Sequence, residues 1–220
     1  MSEQTTKNQS SNTLRVFANI ISYIFHPVFM PAMMTFVLYK LSPQSFAGFN
    51  VADFSKQPFP ILAPVIINTL LFPLIAILLL KGVGFIKSLK LEDQKERIIP
   101  LIITMVFYFW AYWAMKNVNA PFLLRVLLLG CFWAIIALFM INIFFKISMH
   151  TAAAGGAIAM IVILMLHSPV NMVLPLFITI LTAGIIGSAR LVLHAHNRGQ
   201  VWLGYIIGFF IQMSAYWYLS

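Results

Sequence analysis

The sequence predicts an all-α polytopic membrane protein, a transmembrane bundle of about seven helices. Three observations carry this. Of the 220 residues, 61% are hydrophobic and only 9% are charged, whereas a soluble domain holds about 25% charged residues. The apolar residues gather in runs, several of which reach the ~20 residues a helix needs to cross the hydrocarbon core. Short polar stretches rich in Lys, Arg and turn residues separate the runs. In lipid an isolated strand leaves its backbone groups unpaired, so the runs are expected to be helices. Mean hydropathy, +0.93, excludes a soluble enzyme. Cys131 is the only cysteine and lies in an apolar run, which excludes a disulfide scaffold and suits a buried, inert thiol. The net charge of +9 is spread over short loops, so no basic stripe is available for a nucleic-acid backbone and no nucleic-acid partner is expected.

The segments follow in order. Residues 1–13 are polar and expected to be disordered, without the apolar core of a signal peptide. Residues 14–220 are expected to form a single transmembrane domain. Its first segment runs from about Leu14 to Tyr39, with bends at His26-Pro27 and Pro31. The second covers about Phe59 to Leu80 and contains Pro64 and Pro73, after which charged residues crowd between Lys81 and Arg97. The third, Ile98 to Met115, and the fourth, Phe122 to Phe145, are joined by the turn Lys116–Pro121. The fifth spans Thr151 to Leu166. A Ser168-Pro169-Val170-Asn171 turn leads to the sixth, Met172 to Leu193. The seventh runs from Val201 to Leu219 and ends in Tyr216-Trp217-Tyr218, an interfacial aromatic anchor.

With seven crossings, parity sorts the connections onto two sides. Lys7, Arg15, Lys81, Lys87, Lys90, Lys95, Arg97, Lys146, Arg190 and Arg198 fall on one, against Lys40, Lys56, Lys116 and Arg125 on the other. The positive-inside rule makes the first side cytoplasmic, in a cell (inner) membrane.

Three polar clusters share that side: Lys90–Arg97; Lys146-Ile147-Ser148-Met149-His150; and Ser188-Ala189-Arg190 with His194, His196 and Gln200. Converging His, Lys and Arg with few carboxylates suit a phosphate ester. Guanidinium and ammonium groups neutralise its oxygens, one imidazole attacks, and another protonates the leaving oxygen. Thr151–Gly156 is expected to begin a helix whose N–H groups favour an anion, and Gly155-Gly156 permits close helix packing. A three-histidine metal site from His150, His194 and His196 is the competing reading, opposed by the neighbouring bases. No metal and no cofactor are expected. His26 and His167 are read as structural, at a bend and at the opposite interface.

These clusters resemble the type 2 phosphatidic acid phosphatase and haloperoxidase superfamily. Its three motifs are Lys, six residues, Arg-Pro; Pro-Ser-Gly-His; and Ser-Arg, five residues, His, three residues, Asp. Lys90 and Arg97 keep the first spacing, with Pro100 displaced; Ser148 and His150 keep the second, with Met149 for Gly. Arg190 and His196 keep the third, with Ala189 for Ser and Gln200 for Asp. The resemblance covers residues 90–200 and implies a six-helix phosphatase-like core. It implies a metal-free phosphatase of lipid phosphates or pyrophosphates, acting on a membrane lipid through a phosphohistidine. His196 would be the nucleophile and His150 the acid. Lys90, Arg97, Ser148 and Arg190 would bind phosphate, with Gln200 and His194 orienting. The alternative it leaves is a weakened or inactive homologue that binds lipid phosphates or serves as a membrane assembly subunit, because a neutral Gln200 orients a histidine without stabilising its cation.

Overall fold

A computed structural model describes residues 2–46, 49, 59–85 and 98–220, with side chains from Asn12 onward and from Ile61 in the third helix. The described residues contain helices and no strand. In chain order these are α1 (Ser2–Ile24), α2 (Met30–Leu41), α3 (Phe59–Ile66), α4 (Phe72–Gly82), α5 (Ile98–Asn117), α6 (Phe122–Phe144), α7 (Met149–His167), α8 (Val173–Val192) and α9 (Arg198–Leu219). Among the described residues, six helical stretches are long and apolar enough to cross a membrane: Asn12–Leu41, Ile61–Gly82, α5, α6, α7 and α8. The chain therefore has the build of a multi-pass membrane protein. The expected seventh segment, α9, has the length at 22 residues, but it falls outside that set, its Gln, Ser, Gly, Trp and Tyr residues leaving it less apolar than the other six.

Proline sets the irregularities. The first segment breaks at Phe25-His26, and Pro27–Phe29 forms a 3-10 turn before α2 begins. The stretch between Pro64 and Pro73 contains a π turn, Ile67–Leu71, linking α3 to α4. Pro73 has no N–H to give the Thr69 carbonyl, and the wider turn absorbs the mismatch. Three Pro-x-x-x-Thr pairs share one device. Thr35, Thr104 and Thr179 each donate a hydroxyl to the carbonyl of Pro31, Pro100 and Pro175, at 2.7–2.8 Å, so a polar side chain enters an apolar helix already paired.

The start of the chain differs from expectation: α1 reaches back to Ser2, where a disordered tail was expected. A polar composition argues against burial, not against helix, and a helix nucleated by the Leu14 run propagates at little cost.

Three left-handed residues end helices in the same way. At Gly84, Asn119 and His194 (φ 79°, 51° and 51°), the following residue's N–H reaches back five positions, from Phe85 to Leu80, Ala120 to Met115 and Ala195 to Arg190. This is the Schellman closure, which caps free carbonyls and reverses the chain.

The closest helix pairing is α7 with α9, and glycines permit it. A side chain on Gly208 would run into the Ala152 carbonyl, one on Gly204 into Thr151, and one on Gly155 into the Tyr205 backbone. Gly204 and Gly208 are four apart, the spacing of small residues at close helix crossings. The largest group of buried apolar side chains includes Leu38, Leu124, Leu128, Ile163 and Leu164. It packs the start of α6 against the end of α7, leaving the α7 N-terminal end for polar groups.

Candidate functional site

The start of α7, the end of α8, the turn before α9 and the break after α1 meet at one end of the bundle. There His26, His150, Arg190 and His196 line a cavity of about 420 Å3. Its polar remainder includes Thr104, Tyr108 and Gln212. Met30, Met34, Leu74, Leu101, Ile135 and Leu138 are among its apolar walls. A cavity with a basic end and apolar walls matches an amphiphile carrying an anionic group.

His196 is placed by two caps. The reversal at His194 turns the chain back after α8, and Asn197 then opens α9. Asn197 Oδ1 accepts from the Gln200 N–H at 2.9 Å, and Gln200 Oε1 accepts from the Asn197 N–H at 3.2 Å, a reciprocal capping box. The same Oε1 lies 3.0 Å from His196 Nδ1. An oxygen that accepts from a backbone N–H is fixed as an acceptor, so Nδ1 carries the ring proton and the neutral ring keeps its lone pair on Nε2.

His150 is held in the same manner from the other nitrogen. Its Nε2 donates to the Ser22 carbonyl at 3.1 Å, which leaves Nδ1 as the second nitrogen of the ring. Arg190 Nη1 donates to the Ser22 hydroxyl at 3.2 Å. The His26 ring meets the His150 ring edge-on, with centroids 5.4 Å apart at 85°, while His26 Nδ1 accepts from the Val28 N–H at 3.4 Å.

Other expected site residues lie elsewhere. Ser148 is fully buried, and its hydroxyl accepts from the Thr151 N–H at 3.4 Å as the N-cap of α7; it is not among the cavity residues. The helix thus starts at Met149, two residues before the expected Thr151. His194 does not share the helical face of Arg190. As the left-handed residue of the reversal its side chain is exposed, away from the cavity. Gln200 reaches His196 through the capping box, not along a helix, because His196 lies before α9 begins. Lys90 and Arg97, with the rest of that cluster, lie outside the described residues.

Ser22, His26 and Gln212 reach the site without having been singled out for it. His26 carried a signal: an ionisable residue inside an apolar run is costly in lipid and by default a functional candidate. Gln212 is buried and donates to the Val126 carbonyl at 2.9 Å beside Gly130. Ser22 had no local signal, since its partners lie 128 and 168 residues away.

Comparison with known proteins places the chain beside none of them: no family model, no curated protein and no solved structure matches it.

Proposed function

We propose that the protein is an integral-membrane phosphatase acting on a lipid phosphate or pyrophosphate, with α9 as a seventh crossing helix and the site at one membrane interface. The observation that carries this reading is the pairing of the two imidazoles. His196 and His150 are each held through one nitrogen by a carbonyl oxygen, at 3.0 and 3.1 Å, beside Arg190 and at the basic end of an apolar cavity. That arrangement supplies a nucleophile, an acid and a countercharge in one place.

In the first step His196 Nε2 attacks phosphorus, and an N–P bond forms as the bond to the leaving oxygen breaks. His150, anchored through Nε2, takes up the proton of the incoming phosphate monoanion at Nδ1 and passes it to that oxygen. In the second step water attacks the phosphohistidine, His150 takes the water proton, and inorganic phosphate leaves. Arg190 neutralises charge on the phosphoryl oxygens throughout. Lys90 and Arg97 are proposed to join it from the segment before α5. The apolar walls would take the lipid chain.

The test is phosphate release from purified protein in detergent, over several lipid phosphates, with EDTA present. Release is expected, and it should vanish in His196→Ala and His150→Ala. An acid-labile phosphoprotein should be trapped with labelled substrate in the wild type and be missing from His196→Ala. A second reading has its own observation: Gln200 carries no charge to stabilise an imidazolium. If no lipid phosphate turns over yet lipid phosphates bind, the protein is a binding or assembly subunit and the enzymatic reading falls.

A further inference from the structure

We propose that the break in the first transmembrane segment is part of the site, with Ser22 acting as the positioning residue for both His150 and Arg190. This rests on the phosphatase reading for its catalytic meaning, and Ser22 itself lies outside the three motifs.

The argument begins with the backbone. In an unbroken helix the Ser22 carbonyl would accept from the His26 N–H, four residues on. Pro27 prevents the helix from continuing, because it has no N–H and disfavours helical geometry in the residue before it. The His26 N–H therefore turns to the Tyr23 carbonyl at 3.4 Å, and His26 adopts an extended conformation (φ −64°, ψ 136°) to cap the following turn. A carbonyl released inside an apolar bundle must find another donor. His150 Nε2 supplies it at 3.1 Å. The Ser22 hydroxyl, on the same buried residue, accepts from Arg190 at 3.2 Å.

The consequence is chemical. A carbonyl acceptor fixes the proton of His150 on Nε2, so Nδ1 is the nitrogen that exchanges protons with substrate. Ser22 thus does for His150 what Gln200 does for His196, and its hydroxyl fixes the guanidinium beside them.

The experiment uses the full chain in detergent micelles with 15N-labelled histidine, the His150 signal being assigned by its loss in His150→Gln. The wild type is expected to show His150 protonated at Nε2 and bare at Nδ1. Pro27→Ala, which lets His26 N–H return to Ser22, should lose that signature. Orthovanadate binding by calorimetry reads the hydroxyl: Ser22→Ala should weaken it about fivefold to tenfold, and Ser22→Thr should restore it to within about twofold. A wild-type His150 signature retained in Pro27→Ala, wild-type vanadate affinity in Ser22→Ala, or no vanadate binding by the wild type overturns the proposal. Neither measurement needs turnover. A wild type that hydrolyses no lipid phosphate therefore removes the enzymatic reading while the positioning of His150 and Arg190 is still decided.

Discussion

Gln200 accepts a hydrogen bond from His196 at 3.0 Å and, with the same oxygen, one from the Asn197 N–H that opens α9. One amide thus orients a histidine and caps a helix. Substitution with Asp shortens the side chain by a methylene and forfeits this reach, whereas Glu preserves it. Gln200→Glu is expected to raise phosphate release, because a carboxylate stabilises the imidazolium formed at His196, and to keep the cap, since Glu at this position suits the helix dipole. Gln200→Leu should lower turnover by about two orders of magnitude through loss of the fixed tautomer and cost about 1 kcal/mol in helix capping. Steady-state kinetics with thermal unfolding on the same preparations separate the two effects. Equal turnover in the Glu variant and the wild type would remove Gln200 from the mechanism.

The reversal before His196 depends on a residue under backbone strain. His194 has φ 51°, a conformation costing an L-residue about 1–2 kcal/mol and glycine almost nothing. His194→Gly is therefore expected to be at least as stable as the wild type to heat. His194→Val, whose branched Cβ fits this region worst, should lose about 1–2 kcal/mol. A Val variant as stable as the Gly variant would mean that another conformation serves the turn.

Close approach of α7 and α9 sets the distance between His150 and His196, which begin or precede those helices. A methyl group on Gly208 would overlap the Ala152 carbonyl, which is backbone and cannot turn aside. Gly208→Ala is expected to cost at least about 2 kcal/mol and to lower phosphate release by moving the two rings apart. Gly184 in α8 is the control, since nothing lies within 4 Å of a side chain there. Gly184→Ala should gain about 0.5–1 kcal/mol from helix propensity. Similar melting temperatures for the two variants would refute the crossing as described.

How far these features could be read from sequence depends on their range. The helices were legible because apolar runs and prolines act locally: Pro27 and Pro73 each mark a real irregularity, while α3 runs on through Pro64. The reach of Gln200 to His196 was legible from spacing, though the mechanism is a capping box where a helical face was expected. By sequence His26 is a structural bend residue, and it does cap the turn after the break; its ring also faces His150, which no neighbouring residue reveals. Ser148 shows the opposite failure. Its motif position suggested a phosphate contact, but an N-cap has the same local pattern, and the structure uses the hydroxyl there.

The cavity walls offer a test that bears on substrate class. Ala134 and Ile135 of α6 are among the apolar residues that line the cavity. A large side chain at Ala134 would occupy volume needed by a lipid chain. Burying each CH2 group is worth about 0.8 kcal/mol, so excluding even two of them weakens binding by about tenfold. Ala134→Phe is accordingly expected to raise KM for a long-chain lipid phosphate by about tenfold or more, with kcat nearly unchanged, because the lost interaction is made equally in ground and transition states. For a short soluble ester such as para-nitrophenyl phosphate, KM should stay at the wild-type value. A parallel loss on both substrates would mean that the cavity does not hold the lipid chain, and that the apolar walls serve packing alone.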